Sequence, residues 1–446
     1  MYLIKKKLVK ILDSSRKIFP YIYRKIKNNL NKKYSSFRRR FLLKKINLKF
    51  LEFRKLINKK DFFYSNQILI PRSNEEIKPV FMNRSQISKI NNYLNKASPY
   101  SQKDIIISKI NNANIYGGIE LIEKNKISFI SDFFNPKVNI SADEQLKNIF
   151  FSSNRKSLYL FSKHDFELNK NYFIIDKALY LYSACGKNYF HWLVEIAPKL
   201  AIYYKFFNEK ITLLINHDLH PNIKRLIQIL SKNSNVIELK PPNKYLIKEL
   251  NYISGVTNLP FDFLKSYKSN NFKINKKIQI YYNLDGLNIL KENLKESIKL
   301  KNSKSQSRVY LLREFDSKRK ITNIKQVEEQ LRIMNFEFIN PLNYSIDVLT
   351  DKLKDTEIIV LQGGAAVANS ILLRKPVKMI VMVASNRIIP YHTLTNLISI
   401  LGHKTFLLFG KISQNKKKNF FNGDPHANFE IDINQLIMII NSAKDS

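Results

Sequence analysis

Short apolar runs alternate with helical periodicity from about residue 178 onward. The runs ALYLYS, ITLLIN and NVIEL predict three strands, because each is short, apolar and bounded by turn residues. Apolar positions spaced three and four apart predict the helices between them. The strands are predicted at 178–183, 211–216 and 235–239, with helices at about 189–207 and from Pro221. Strands that alternate with helices are typical of parallel βαβ units.

The same alternation returns near residue 307, after a polar helix and the segment NSKSQS. Asn323 and Ser345 are expected to cap helices, and Gln326 occupies the reciprocal position of a capping box. Right-handed crossovers would turn each series into a doubly wound sheet. Strands are predicted at 307–314, 336–340, 357–362, 377–385 and 405–410, with helices at 323–334, 345–355, 365–373, 393–401 and 433–440.

The length and the pattern together predict an α/β protein with two doubly wound, Rossmann-type domains. The chain has 446 residues, which suits two domains. Residues 66–175 are less regular and suggest short strands with turns. The expected organisation is a basic arm at 1–65, a first domain at 66–290, a linker at 291–306 and a second domain at 307–446.

Net charge changes this picture mainly at the N-terminus. The chain carries +40, and residues 1–60 hold 21 Lys and Arg against only Asp13 and Glu52, which is +19. Leu, Ile, Phe and Tyr are interleaved with these charges, as in an amphipathic helix that lies on an anionic membrane surface. A solvated tail, a helix packed on the body, or an RNA- or DNA-binding arm fit the same composition.

The cysteine content and the hydropathy of the chain limit the cellular compartments in which the protein is expected. Cys185 is the single cysteine, so no intrachain disulfide and no cysteine zinc site can form, which suits a reducing compartment. The N-terminal segment lacks the apolar core of a signal peptide, and no run is long enough to predict a spanning helix. We therefore expect a cytoplasmic protein that is peripheral on a membrane.

The stretch NYFHWLVE at 188–195 carries the first candidate chemistry. His191 and Glu195 are i, i+4 neighbours on the predicted helix, off the face that packs on the sheet, and Asn188 is a natural N-cap. A carboxylate beside an imidazole at the carboxyl edge of a sheet can serve as a general base. An ordinary surface ion pair beside a core Trp192 fits the same spacing. Pro198 lacks an N–H for residue 194 and is expected to kink the helix.

Two further patterns in the second half suggest phosphate binding. Gly363 and Gly364 join a buried strand to a helix start, where free N–H groups and the helix dipole favour an anion. A tight turn between strand and helix would also explain the two glycines. Arg313 and Arg319, with Lys318 and Lys320, follow a strand at the same edge, where guanidinium groups clamp phosphate oxygens; a solvated charge run is the alternative. His392, His403 and His426 are too scattered to predict a metal site.

These motifs occur in the order of a known family. NYFHWLVEIAPKL resembles the N-Y/F-x-H-W-L-x-E-x-x-P-R/K-L signature of glycosyltransferase family 61. VYLLREFDSKRKITNIKQVEEQL resembles its second block, in which Arg313, Arg319 and Asn323 match. EIIVLQGGAAVANSILL resembles its third block through Gly364, Ala365 and Asn369. The resemblance covers roughly residues 178–441.

The resemblance implies a GT-B-like fold and an inverting, metal-independent transfer of a sugar from a nucleotide sugar to a glycan, with no cofactor. It implies donor binding by Arg313, Arg319, Asn323, Gly363, Gly364, Ala365 and Asn369, with Asn188 and Trp192 on the acceptor side. We prefer Glu195 as the base, with His191 orienting it or sharing the proton.

The expected setting is bacterial capsular or lipopolysaccharide synthesis at the inner membrane, with a lipid-linked glycan acceptor and no nucleic acid. Three departures from the family pattern favour an alternative, a catalytically degenerate scaffold of the same pathway. Gly363 stands where many members carry His, the Glu common at the end of the following strand is absent, and the double acid after Asn323 is replaced by Ile-Lys-Gln. A basic RNA-binding protein is the second alternative.

Overall fold

The computed structural model describes most of the two regular halves of the chain. The predicted arm at 1–65 lies almost wholly outside the described residues, as do Lys318 and the start of the helix predicted at 393–401. The described residues are 54–56, 63, 65–72, 76–77, 100–118, 120–125, 127–129, 149–154, 157–162, 172–183, 185–241, 243–258, 281–301, 306–313, 319–385, 396–412 and 427–446.

Fifteen strands precede residue 283 in the described part of the chain. They are β1 Arg54–Leu56, β2 Ser65–Ile70, β3 Glu76–Ile77, β4 Tyr100–Ser101, β5 Ile105–Tyr116, β6 Ile122–Lys124, β7 Ile127–Phe129, β8 Ile149–Asn154, β9 Ser157–Ser162, β10 Tyr172–Tyr180, β11 Thr212–Asn216, β12 Val236–Leu239, β13 Lys244–Ile253, β14 Thr257–Asn258 and β15 Tyr281–Tyr282. Eleven of them form the first sheet, in the order β12-β11-β10-β13-β5-β6-β7-β1-β9-β8 with β2 also paired to β5.

The first sheet is parallel over the neighbouring strands β12, β11, β10 and β13, and β1 and β7 also pair in parallel. Strand β5 pairs antiparallel to β13, and β2 and β6 pair antiparallel to β5. The prediction of a doubly wound sheet is therefore wrong for most of this half. A βα repeat is visible in sequence only from residue 178, whereas β5 lies before it and pairs antiparallel on both sides, with β13 and with β2 and β6.

The second sheet follows the prediction more closely. Its strands are β16 Arg308–Leu311, β17 Glu337–Ile339, β18 Ile358–Gln362, β19 Lys378–Ala384, β20 Lys404–Ile412 and β21 Phe429–Glu430. The order is β17-β16-β18-β19-β20-β21, parallel except for β21. The parallel strands thus run second, first, third, fourth, fifth, which is a doubly wound order whose direction of winding reverses between β16 and β18. A parallel sheet covered on both faces needs strands that are apolar on both sides, and all five residues of β18 are buried.

Helices cover both sheets and join their cores. Helix α1 is composite, with α-helical Tyr189–His191, π-helical Trp192–Ile196 and α-helical Ala197–Phe206. The others are α2 Pro221–Leu230, α3 Leu284–Ser297, α4 Ile324–Ile333, α5 Ile346–Lys352 and α6 Ile433–Lys444, with 3-10 helices at Pro341–Asn343 and Ala365–Leu372 and a helical turn at 396–400. One apolar cluster contains Leu200 of α1, Leu287 of α3 and Ile371 of the second 3-10 helix, so the two halves share a core.

Pro198 shapes the first helix through the N–H that it lacks. In a regular helix that group would bond to the carbonyl of Val194. Instead the Thr257 hydroxyl donates to the Val194 carbonyl at 2.6 Å, in a buried position. The preceding residues take the wider π form, in which the Ala197 N–H donates to the carbonyl of Trp192, five residues back. Where a kink is predicted at Pro198, the helix has a π-helical bulge, and a side chain from β14 donates to the carbonyl that the proline leaves without a donor.

Replacing Thr257 by valine should destabilise the fold, because the Val194 carbonyl would be buried without a donor. We expect the free energy of unfolding to fall by about 1–3 kcal/mol, measured by urea denaturation. Thr257→Ser is the matched control, since it keeps the hydroxyl and should lose clearly less stability. Equal losses in the two variants would show that the methyl group, and not the hydrogen bond, matters.

Candidate active site

The carboxyl edges of the two sheets face each other across a cavity of about 310 Å³. The first sheet contributes the loops that follow β10 and β11, and the second contributes those after β16, β17 and β18. Ligands of open α/β sheets bind at this edge. The cavity is lined by Lys187, Tyr189, His220, Asn222, Leu311, Leu312, Arg313, Arg319, Pro341, Leu342, Leu349, Gln362, Gly364, Ala365, Ala366 and Asn369.

Two arginines converge on the glycine turn after β18. A Cβ atom built on Gly364 would lie 3.4 Å from Nη1 of Arg313 and 3.8 Å from Nη1 of Arg319. Arg319 has a left-handed backbone with a φ of 60°, and the Gln362 side chain donates to its carbonyl oxygen. The predicted neighbours Arg313, Arg319, Gly364 and Ala365 therefore do lie together around the cavity.

The charge of the cavity is positive. Lys187 adds a third cation from the first-sheet side, where it also pairs with Asp218 at 3.5 Å. None of the sixteen described lining residues is Asp or Glu. Guanidinium groups beside the free N–H groups of a helix start are a typical environment for phosphate.

Asn369, a predicted donor-binding residue, lines the cavity but also joins the two halves. Its Oδ1 accepts a hydrogen bond from the Tyr189 hydroxyl at 2.8 Å, and its side chain is only 2% exposed. Burial raises the pKa of Tyr189 well above its ordinary value, so this hydroxyl stays protonated as a donor. The contact holds the first turn of α1 against the 3-10 helix at Ala365–Leu372.

His191 and Glu195 form the pair that the spacing predicted. His191 Nδ1 lies 2.7 Å from Glu195 Oε1, and the two side chains are 12% and 18% exposed. Neither residue is among those that line the cavity, although Tyr189 on the same helix is. The π-helical stretch Trp192–Ile196 begins directly after His191 and contains Glu195, and such bulges are frequent at functional sites. Their role towards an acceptor stays a prediction.

The loop before α1 is held by a buried asparagine that the sequence did not reveal. Asn216, at the end of β11, accepts from the Ser183 N–H at 3.2 Å and donates to the Ser183 carbonyl at 2.7 Å. A Cβ atom built on Gly186 would lie 1.9 Å from Asn216 Oδ1, so only glycine fits there. Asn188 then caps α1 as predicted, accepting from the Phe190 N–H at 2.9 Å. This packing fixes where α1 begins.

Three residues that the sequence analysis placed in the site do not line the cavity. Trp192 is fully buried, so it packs in the core and does not face an acceptor. Asn323 does not line the cavity: its side chain donates to the Ile431 carbonyl at 2.7 Å and accepts from the Ile431 N–H at 3.0 Å, which ties α4 to the segment after β21. The predicted capping box is therefore wrong. Gly363 donates its N–H to the Met382 carbonyl at 2.9 Å and belongs to the sheet edge.

Sequence reasoning missed Lys187, Tyr189, His220, Asn222 and the segment Pro341–Leu342. A usable signal was present, because these residues follow β10, β11 and β17 directly, at the carboxyl ends where ligands gather. In the sequence analysis this rule was applied to the His191–Glu195 pair, the glycine turn and the arginine loop, but not to these residues. Ser345 occupies the N-cap position of α5, but its side chain makes no capping hydrogen bond, which differs from the prediction.

His403 supports the far end of the 3-10 helix at Ala365–Leu372. Its Nδ1 accepts from the Val377 N–H at 3.2 Å, and its Nε2 donates to the Ser370 carbonyl at 3.0 Å. This pattern needs a neutral ring, and the site is deeply buried. Burial, helped by the charge of Lys291, lowers the pKa of His403 from 6.5 to about 4.

The described residues contain neither a metal-binding cluster nor a membrane-spanning helix. No three His, Cys, Asp or Glu side chains there group as a metal site would require. No helix within the described ranges is both long and apolar enough to cross a membrane.

The stability of the fold should decrease between pH 7 and pH 4 because of His403. The unfolded chain binds a proton at this residue from about pH 6.5 downward, whereas the folded chain resists it until about pH 4. The unfolded state thus binds more protons in this window, and the loss should reach about 3 kcal/mol at pH 4. Urea denaturation at a series of pH values measures it.

His403→Gln is the matched variant for this test. Its amide can still accept from Val377 and donate to Ser370, but it does not titrate. We expect the variant to lose less stability on acidification than the wild type. Identical pH profiles would show that His403 does not resist protonation in the folded state.

Comparison with known proteins adds one match. The family model described as Glycosyltransferase 61 matches residues 189–380, from the first residue of α1 into β19. The matched range contains Tyr189, the His191–Glu195 pair, both cavity arginines and the glycine turn. A search of curated proteins finds no significant match to the chain.

Proposed function

Residues 189–380 belong to glycosyltransferase family 61, and from this premise we propose that the chain transfers a sugar from a nucleotide-sugar donor to a glycan acceptor. The match supports a glycosyltransferase enzyme; the donor, the acceptor and the stereochemistry are our proposal. The two sheet edges that face one cavity support a GT-B-like arrangement, with the donor on the second-sheet side and the acceptor on the first.

The observation that carries the proposal is the convergence of Arg313 and Arg319 on Gly364, at the start of a 3-10 helix. A nucleotide sugar is bound through its diphosphate, which gains negative charge on the leaving oxygen as the sugar departs. Guanidinium groups and backbone N–H groups fixed around that oxygen stabilise the charge without reorganisation. The absence of Asp and Glu among the described lining residues removes a source of repulsion.

The proposed reaction is a single displacement that inverts the anomeric carbon. The acceptor hydroxyl oxygen forms a bond to that carbon, and the bond from the carbon to the diphosphate oxygen breaks. Glu195 takes the hydroxyl proton, and His191, 2.7 Å away, orients the carboxylate. The cations of the cavity hold the diphosphate that leaves, and we propose that no metal is needed.

A setting in bacterial surface polysaccharide synthesis fits the sequence of the N-terminal arm. Residues 1–60 carry +19 and interleave this charge with apolar residues. Each Lys or Arg near an anionic membrane surface gains about 1 kcal/mol. We propose that the arm holds the enzyme at the inner membrane, next to a lipid-linked glycan.

Two substitutions should separate donor binding from chemistry. Arg319→Met removes a charged contact with the diphosphate, so we expect nucleoside diphosphates to bind about 10–100-fold more weakly. Glu195→Gln should abolish transfer while leaving nucleotide affinity unchanged, because it removes only the base. Calorimetric titration with uridine, guanosine and adenosine diphosphates measures binding, and transfer is followed with the nucleotide sugars that bind.

Arg332→Met is the matched control for the arginine, since Arg332 is exposed on α4 and not in the cavity. It should leave both properties unchanged. Wild-type protein that binds no nucleoside diphosphate would overturn the proposal. Protein that binds but transfers no sugar would favour the degenerate scaffold, which the glycine at position 363 also suggests. A near-normal rate in Glu195→Gln would remove Glu195 from the mechanism.

Deleting residues 1–60 should separate membrane binding from transfer. We expect the shortened protein to lose cosedimentation with vesicles of anionic phospholipid, because it lacks nearly half of the net charge. Transfer to a soluble acceptor should persist. Vesicles of neutral phospholipid are the control, and unchanged binding to the anionic vesicles would contradict the proposed role of the arm.

A further inference from the structure

The two sheet edges meet in a fixed alignment that gives the cavity two ends. At one end Tyr189, after β10, bonds to Asn369, after β18. At the other end the Asn222 side chain, after β11, donates to the Tyr344 carbonyl, after β17, at 3.1 Å. Strands β17 and β18 flank β16, so these ends are separated by about 10 Å, two strand spacings.

The two ends differ in chemistry. The β18 end holds the guanidinium groups near Gly364. The β17 end is lined by Pro341, Leu342 and Leu349, and Leu342 is 47% exposed. A large apolar side chain kept at the surface beside a cavity provides a place for a flat, weakly polar group.

His220 adds one directed donor to the apolar end. It is the N-cap of α2, and its Nδ1 accepts from the Asn222 N–H at 3.2 Å. An accepting Nδ1 carries no proton, so in the neutral ring the proton is on Nε2. The ring lines the cavity, and capping fixes both its position and its tautomer.

We propose that His220 contacts the nucleoside part of the donor, with Nε2–H donating to a base carbonyl or a ribose hydroxyl oxygen while the nucleoside lies on Pro341 and Leu342. The inference rests on the proposed function and deepens it. It sets the direction of the donor, with the nucleoside towards β17 and the diphosphate towards β18. It also makes the nucleoside site composite, because His220 belongs to the first-sheet side and Pro341–Leu342 to the second.

The alternative of a phosphate contact at His220 is less favoured. The cations Lys187, Arg313 and Arg319 and the turn at Gly364 supply the phosphate environment at the other end. A nucleoside diphosphate spans about the distance between the ends, so one molecule can satisfy both.

The variant His220→Asn tests the assignment without removing the cap. Asparagine is among the best N-cap residues, so α2 and the unfolding midpoint in urea should be preserved. The side chain is too short to replace Nε2–H. We expect nucleoside diphosphates to bind about three- to tenfold more weakly, as for the loss of one neutral hydrogen bond, and inorganic pyrophosphate to bind unchanged.

Arg319→Met should give a different pattern, because it should weaken the binding of both nucleoside diphosphates and pyrophosphate. The inference is wrong if His220→Asn binds nucleoside diphosphates like the wild type, or if its affinity for pyrophosphate falls as much as its affinity for nucleoside diphosphates. In either case the proposed function stands. If the wild type binds no nucleoside diphosphate, the proposed function fails first. A lowered unfolding midpoint in His220→Asn, with the affinity of correctly folded protein unchanged, would show a purely structural residue.

Discussion

The hydrogen bond from the Tyr189 hydroxyl to Asn369 Oδ1 is the contact on which the site depends. It joins the first turn of the helix after β10 to the 3-10 helix after β18, across 180 residues of sequence. Asn369 is buried and the contact is part-buried, so breaking it would leave the side-chain oxygen of Asn369 without its donor. By holding these two helix starts together, it brings the carboxyl edges of two separate sheets onto one cavity.

The functional groups fall into two zones around this contact. The cations and the glycine turn lie on the second-sheet side, where the cavity is positive and free of carboxylates among its described lining residues. The His191–Glu195 pair lies further along α1, beyond the lining of that cavity. In the reaction that we propose, this separation keeps the carboxylate of Glu195 apart from the cations that would hold the diphosphate.

The sequence predicted what is encoded locally. The strands of the second sheet and the meeting of Arg313, Arg319 and Gly364 follow from apolar runs and from the rule that parallel strands end at one edge. Asn323 was misplaced because its partner, Ile431, is 108 residues away and leaves no periodic trace. The burial of Trp192 and the hydroxyl of Thr257 that replaces the missing proline N–H depend equally on packing between distant segments. The antiparallel part of the first sheet was missed because its pairing joins distant segments: Lys244 of β13 lies opposite Tyr116 of β5, and no βα repeat connects them.

The contact between Gly186 and Asn216 has a consequence for how this chain can vary. The two residues share one small volume, so a larger residue at 186 requires the amide at 216 to be lost or turned away. That amide, however, holds both polar backbone groups of Ser183. The loop before α1 and the end of β11 are therefore expected to vary together. A chimera that takes the loop from one homologue and the strand from another should fold only when both homologues have the same residues at these two positions.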